Sequence, residues 1–264
     1  MSIVTISRGS YSRGKEVAEK LAQKMGYECI SRDILLEASE QFNIPEIKLV
    51  RAIHDAPSIL ERFTYGKERY VAYLRAALMK HVQKDNVVYH GLAGHFFLQG
   101  IPHVVKVRII ADLEDRVVEE MKREQISAEE ARTILKKDDE ERRKWSIQVY
   151  GADTWDPSLY DMLLHIKTLT VDDAVEMIQC ALNRPSFKTT PESQKLLDEL
   201  VLAARMQAAL VEDIPSARVA YKDGVVTVSM KGSMADREDL DARVRRLCNS
   251  VAGIEVKVQY LMHP

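Results

Sequence analysis

The amino-acid sequence predicts an α/β fold with three layers, α/β/α, around a central parallel sheet with helical insertions, followed by a small αββαβ unit. Over residues 1–185, short apolar runs alternate with segments of helical periodicity, which is typical of parallel strands joined by crossover helices. After residue 191 the order changes to helix, two strands, helix and strand. Because residues 184–191 are rich in proline and hydroxyl side chains, we expect a linker there between domains 1–185 and 191–264.

The first predicted unit is a strand, a glycine loop and a helix. Residues 3–6 are mostly β-branched, and Val17, Leu21 and Met25 recur at helical spacing before Gly26, a residue suited to a helix C-cap. Between them lies Gly9-x-x-x-x-Gly14-Lys15, the spacing of a phosphate-binding P-loop.

The glycines of such a loop let backbone N–H groups converge on phosphate oxygens at a helix N-terminus, while the lysine adds a positive charge. The alternative is a glycine-rich turn with a solvated lysine. If the loop binds phosphate, we expect the nucleotide-binding residues to be Gly9, Ser10, Ser12, Arg13, Gly14, Lys15 and Glu16.

Glu16 departs from the usual P-loop pattern, because that position normally carries Ser or Thr, whose hydroxyl ligates Mg²⁺. Its longer carboxylate would either ligate a metal ion or repel phosphate. The expected cofactors are ATP and Mg²⁺, with altered handling of the metal.

The following elements continue the α/β alternation. Residues 31–84 read as a mostly helical insertion, and residues 86–89, 103–111 and 160–167 read as strands. Asp112 and Thr170 are expected to cap helices, and residues 127–150 form a highly charged helix that opens with the capping-box pattern Ser127-Ala128-Glu129-Glu130. Beyond residue 191, Asp223-Gly224 between two alternating runs predicts a β-hairpin.

Composition limits the classes of function. Hydrophobic residues make up 46% and charged residues 30%, an ordinary globular balance, and the net charge of −2 gives no general attraction to nucleic acid or membrane. No run approaches the ~20 apolar residues of a membrane span. Cys29, Cys180 and Cys248 lack metal-ligand spacing. They therefore predict buried free thiols, no metal site and a cytoplasmic protein.

Residues 1–183 resemble the cytidylate-kinase-like family of P-loop kinases. Besides the loop, the resemblance rests on the stretches 111–116 (ADLEDR), 137–143 (KDDEERR) and 168–170 (TLT), which look like that family's helix start, lid and C-terminal end. It implies a P-loop NTPase fold with helical acceptor and lid insertions. It also implies transfer of a phosphoryl group from ATP.

In such kinases, lid arginines neutralise the charge of the transferring phosphoryl group. By position, the resemblance implies catalytic roles for Lys15, Arg142 and Arg116 and substrate contacts for Arg123 and Arg143. The alternative for each arginine is a solvated side chain or a helical ion pair, and we expect at least two of the four to be of that kind. Asp139 would hold Arg142 bidentately, contact the substrate or form an ordinary helical ion pair.

The acceptor side is less well defined. Arg32 and Asp33 stand where the family's acceptor lobe begins, and either contact the acceptor or cap the next helix. After the central strand, the family carries an acidic residue and an arginine, whereas residues 89–95 read YHGLAGH. His90 or His95 either replaces one of these polar contacts or is a satisfied loop histidine.

Residues 191–264 resemble a BON-type domain through the hairpin at 222–228 and the turn at 251–254. Binding or regulation is expected of it, through a homo-oligomer or a protein partner. For the whole chain, we expect a kinase acting on a nucleoside monophosphate or a similar small phosphorylated metabolite. The alternatives are a catalytically degenerate nucleotide-binding regulator, and an interaction protein whose loop is filled by Glu16.

Overall fold

The computed structural model describes residues 2–10, 12–31, 37–38, 66–91, 94–215, 217–231, 237–253 and 257–263. Most of the predicted helical insertion, including Arg32 and Asp33, lies outside these residues. The strands are β1 Ile3–Arg8, β2 Glu28–Ile30, β3 Val87–His90, β4 Val104–Ala111, β5 Met162–Ile166, β6 Arg218–Lys222, β7 Val225–Lys231 and β8 Lys257–His263. The helices are α1 Gly14–Met25, α2 Gly66–Val82, α3 Gly94–Phe97, α4 Leu113–Glu124, α5 Ala128–Tyr150, α6 Val171–Leu182, α7 Pro191–Leu210 and α8 Arg237–Ala252.

The first five strands form one parallel sheet in the order β2-β3-β1-β4-β5. Parallel strands need crossover connections, so helices cover both faces of such a sheet. Val4 and Ile6 of β1 pack on the face of α1 and α6, while Ile3 packs on the opposite face with α2, α3 and α7. The predicted three-layer fold with a central parallel sheet is confirmed.

Local signals in the sequence explain where several helices begin and end. Gly26 has φ 68° and caps the end of α1, as predicted. Ser127 and Glu130 form the predicted capping box of α5, and Thr170 forms another at α6. The expectation for Asp112 is wrong in one respect: it precedes α4, but its carboxylate pairs with His165 and Lys167 instead of a helix N–H.

The C-terminal region has the predicted αββαβ order. β6 and β7 form an antiparallel hairpin in which Asp223 and Gly224 have φ 48° and 80°, the left-handed values of a type I′ turn. β8 adds to β7 in parallel. Helix α7 serves two cores, because Leu197 packs in the core of the first sheet and Leu210 in that of the second. The domain boundary and the BON-like assignment stay predictions.

All three cysteines are free. Cys248 is buried and Cys29 is half-buried, but Cys180 is exposed, so the expectation of burial is wrong for Cys180. Among the described residues, no helix combines the length and apolar character needed to cross a membrane.

Candidate active site

A cleft of about 1310 Å³ lies where the carboxyl ends of β1 and β3 meet the N-terminus of α1 and the helices α4 and α5. Open parallel sheets bind ligands outside the carboxyl ends of their strands, where the strand order reverses. The central strand β1 has β3 on one side and β4 on the other. Position and size therefore identify this cleft as the candidate site.

The loop after β1 is built so that the start of α1 is left open. Ser12 donates from its hydroxyl to the carbonyl of Gly9 at 3.1 Å, and this contact closes the turn. Arg13 is the N-cap with φ 63°, and its side chain caps none of the backbone N–H groups of the first turn. A Cβ on Gly14 would lie 2.8 Å from Cβ of Arg8, so only glycine fits there. Among the residues that the structure describes, no side chain caps the N–H groups of this turn, as an anion site requires.

Lys15 and Glu16 both pair with charged residues of α1 or of its N-cap. Nζ of Lys15 lies 3.6 Å from Glu19, and the lysine side chain is 64% exposed. The carboxylate of Glu16 pairs with Arg13 at 2.9 Å and with Lys20 at 3.8 Å. Two cations therefore neutralise Glu16.

Arg116 fastens the loop to helix α5. Its Nε donates to the carbonyl of Ser10 at 2.6 Å, and its two Nη atoms donate to the carboxylate of Asp139 at 2.8 and 3.0 Å. The hydroxyl of Ser10 donates to Asp138 at 3.3 Å. Asp139 therefore holds Arg116 bidentately, so of the alternatives considered for Asp139 a pair with Arg142 is not the one found. Asp139 and Arg142 are three residues apart on α5, but Asp139 meets Arg116 across the contact between α4 and α5.

The other three arginines of the predicted lid differ in their surroundings. Arg143 pairs with Asp153 at 2.7 Å and lies over the ring of Trp155, with 4.5 Å from Cζ to the ring centroid. Arg123 is exposed and pairs with Glu124. Arg142 lines the cleft and has no ion pair or hydrogen bond within the described ranges. Arg123 and Arg143, which also lies 3.8 Å from Glu140 on its own helix, are of the solvated or helically paired kind, whereas Arg116 has a tertiary pair.

The glycines after β3 are explained by the tyrosine that precedes them. A Cβ on Gly91 would lie 2.5 Å from the hydroxyl oxygen of Tyr89, and a Cβ on Gly94 would collide with the same ring. Burial raises the pKa of Tyr89 above its ordinary value. His90 is buried at the end of β3 and, like His95 of α3, lines the cleft.

A cluster of polar groups occupies the sheet face beside α3. Nη1 of Arg108 on β4 lies 3.4 Å from Ser7 Oγ and 3.3 Å from the hydroxyl of Tyr160. Nε2 of His95 lies 3.5 Å from the same hydroxyl. Burial first, and then Arg108 and Lys106, lower the pKa of His95 to about 3, so its imidazole is neutral at physiological pH.

Comparison with known proteins decides the family. The profile described as the cytidylate kinase-like family matches residues 3–168, which is more than half of the chain. The chain belongs to the cytidylate kinase-like family. No curated protein sequence matches it significantly.

Solved structures resemble this family member at low sequence identity. An uncharacterized protein from Eubacterium ventriosum is 21% identical with a TM-score of 0.54, over 70% of this chain and 100% of that one. Shikimate kinase from Bacteroides thetaiotaomicron is 11% identical with a TM-score of 0.44, over 69% and 99%. The first of these supports the fold of the parallel-sheet region.

Sequence reasoning on this kinase-like chain missed Ser7, Arg108 and Tyr160. One signal was available, because Lys106 and Arg108 are charged residues two apart within a strand that is otherwise apolar. Such alternation places both charges on one face of a central strand, where an ion pair or a ligand must compensate them. The contacts with Ser7 and Tyr160 could not be foreseen, since they join distant parts of the chain.

Proposed function

We propose that the protein transfers the γ-phosphoryl group of ATP to a nucleoside monophosphate or a similar small phosphorylated metabolite. The observation that carries the proposal is the uncapped N-terminus of α1, which opens into a cleft lined on its other side by Arg142. Membership of a kinase-like family supports the same reaction. The three free cysteines are consistent with a reducing, cytoplasmic setting.

The loop would hold the donor phosphates. Backbone N–H groups from Gly9 to Glu16 would bind the phosphate oxygens, and Lys15 would add a positive charge. Lys15 has to leave Glu19 for this. The exposed pair contributes about 0.2–1 kcal/mol, so a triphosphate would readily replace the carboxylate as its partner.

The lid would supply the charge that favours transfer. Arg142 is the best placed of the four arginines, because it lines the cleft and no carboxylate among the described residues competes for it. Arg116 would act indirectly, because its bonds to Ser10 and Asp139 set the position of the loop relative to α5. Arg123 and Arg143 would contact substrate only after giving up their present ion pairs.

Mg²⁺ would find oxygen ligands beside the loop, although the described residues contain no cluster of three metal-binding side chains. Glu16 is taken up by Arg13 and Lys20, whereas Asp138 and the hydroxyl of Ser10 face each other at the edge of the loop. Mg²⁺ commonly binds through one or two carboxylates together with substrate phosphates, so Asp138 and Ser10 fit it. When bound, the ion would neutralise charge on the donor phosphates.

The second candidate is a nucleotide-binding regulator without transferase activity, whose C-terminal unit, 191–264, binds a partner. Two observations favour it: Lys15 faces Glu19, and α7 joins the core of the cleft-bearing sheet to the C-terminal core. In this reading, nucleotide binding would be relayed through α7. Release of ADP that depends on an acceptor would exclude it.

Thermal unfolding with nucleoside mono-, di- and triphosphates, with and without Mg²⁺, tests the proposal. A ligand at 100 times its Kd stabilises the folded state by ~2.7 kcal/mol, which a melting experiment resolves. We expect ATP to raise the Tm of the wild type and of the control Lys24→Ala, whose lysine lies in the last turn of α1 and pairs with Glu176 of α6. Lys15→Ala should abolish most of the rise. If no triphosphate raises the Tm, both the transferase and the regulator are excluded.

A further inference from the structure

Arg108 has no part in the transfer described above, yet its guanidinium lacks the partner that other arginines at this site have. Arg116 and Arg143 each bind an aspartate. On the same strand and the same face, Lys106 pairs with Asp161 at 3.2 Å. Arg108 contacts only hydroxyl groups and the Tyr160 ring, and within the described ranges it pairs with no carboxylate.

The described groups that contact Arg108 are uncharged. Asp153, whose pKa is lowered mainly by Arg143 and also by Arg108, makes its ion pair with Arg143. The hydroxyl of Tyr160 has one proton, which it donates to the carbonyl of Thr154 at 2.9 Å, so its oxygen accepts from Arg108. His95, beside the same hydroxyl, is neutral. A half-buried guanidinium that has no ion pair of its own carries a desolvation cost that a bound anion would offset.

The orientation of Arg108 separates it from the donor phosphates. Its strand neighbours Val107 and Ile109 pack on the sheet face that carries α1. Because side chains alternate along a strand, Arg108 points to the opposite face, where Ser7 and His95 lie. An anion held there would lie on the sheet face opposite α1.

We infer that Arg108, with Ser7 and Tyr160, binds the phosphate monoester of the acceptor. The inference rests on the proposed function, because it assigns the acceptor's anion to a site distinct from the donor loop. Nη1 is used by Ser7 and Tyr160, and the described residues offer no partner for Nε and Nη2. These two atoms form one side of the guanidinium fork, which binds a phosphate through two parallel hydrogen bonds.

The experiment measures phosphate binding while the donor site is filled. Wild type, Arg108→Gln, Arg108→Lys and the control Arg132→Gln are first titrated with a non-hydrolysable ATP analogue and Mg²⁺. Inorganic phosphate and, separately, acetate are then titrated calorimetrically into the saturated proteins. The control Arg132→Gln removes the same charge at a position of α5 outside the cleft, where Arg132 pairs with Glu114.

We expect the analogue to bind all four proteins within about twofold, and phosphate to bind about 10- to 100-fold more weakly to Arg108→Gln than to wild type, as for loss of a charge-assisted pair. Arg108→Lys should be intermediate, since it keeps the charge but loses the fork. CMP as acceptor should show a raised KM in Arg108→Gln, with ATP affinity unchanged.

Several results would overturn the inference. Equal phosphate binding by wild type and Arg108→Gln would remove Arg108 from the anion site. A parallel loss of analogue affinity would assign Arg108 to the donor phosphates, and a response to acetate alone would make the acceptor's anion a carboxylate. Failure of the analogue to bind wild type would instead contradict the proposed function. Phosphate titration of the free protein would then decide the Arg108 site separately.

Discussion

Charge is compensated differently in two regions: at the contact between α5 and the glycine loop that follows β1, and on the sheet face around Arg108. In the first region, Arg116 is buried and bound to Asp139 and to the backbone of Ser10. In the second, Arg108 bonds to hydroxyl groups and forms no ion pair within the described part of the chain. The comparison separates arginines that hold the protein together from arginines left for a ligand. The sequence alone does not distinguish these two kinds of arginine, because Arg116 lies in a stretch that resembles a kinase motif and Arg108 does not.

The largest expected effect would break the first region. Arg116→Met should lower the free energy of unfolding by about 3 kcal/mol or more, because it leaves Asp139 and the Ser10 carbonyl without their donor. Urea unfolding measures this. The double variant Arg116→Met/Asp139→Leu should recover part of the loss, since no carboxylate then remains unpaired. A loss below about 1 kcal/mol for the single variant would show that the pair does not hold the loop to α5.

Arg142→Ala should lower kcat about 100-fold or more, as expected for loss of a cation that acts in the transition state. The KM for ATP should change little, and the stability should stay near that of wild type because Arg142 has no ion pair within the described ranges. Steady-state kinetics against Arg132→Ala checks the claim. A kcat within threefold of wild type would place Arg142 among the solvated arginines of α5.

The burial of the region around Arg108 should be measurable as a pH dependence of stability that comes from His95. The pKa of His95 is about 3 in the folded state and ~6.5 in an unfolded chain. Between these two values, the unfolded state binds a proton that the folded state does not. His95 therefore does not lower the free energy of unfolding above about pH 6.5, and lowers it progressively as the pH falls below that value. Between pH 7 and 5, wild type should lose about 1–2 kcal/mol more than His95→Gln. Equal losses in urea unfolding would mean that His95 is not held neutral by burial.

The smallest expected effect concerns the start of α5, outside both regions. Ser127→Ala should cost about 1 kcal/mol, because the hydroxyl accepts from the N–H of Glu130. Thr133→Ala is the matched control: its hydroxyl only bonds back to the carbonyl of Glu129, and its removal should be neutral or slightly stabilising. Thermal unfolding distinguishes the two. Equal effects would show that the capping box does not stabilise the helix.

Much of the fold could be predicted because its signals are local. The alternation of elements predicted the parallel sheet, Gly26 the end of α1, and Asp223-Gly224 the hairpin. Each of these depends on backbone conformation or periodicity within a few residues. The same reasoning located the glycine loop between β1 and α1, whose binding of phosphate stays a prediction.

The pairing of charges could not be predicted, because it depends on contacts between distant residues. Asp139 binds Arg116, which is 23 positions away, instead of its helical neighbour Arg142. Tyr160 meets Ser7 across 153 positions. Asp112 had the position of a cap but found Lys167 and His165 on the neighbouring strand and turn. A propensity describes what a side chain can do alone, whereas tertiary contacts decide which partner it takes.

Release of ADP from ATP in the presence of nucleoside monophosphates tests the central claim most directly, with wild type, Lys15→Ala and Lys24→Ala measured side by side. We expect ADP release that requires an acceptor, persists in Lys24→Ala and is lost in Lys15→Ala. If ATP binds but no acceptor causes release of ADP, the proposed transferase activity is contradicted. The nucleotide-binding regulator then remains as the candidate function. Acceptor-dependent release that is unchanged in Lys15→Ala would show that phosphoryl transfer does not use this loop.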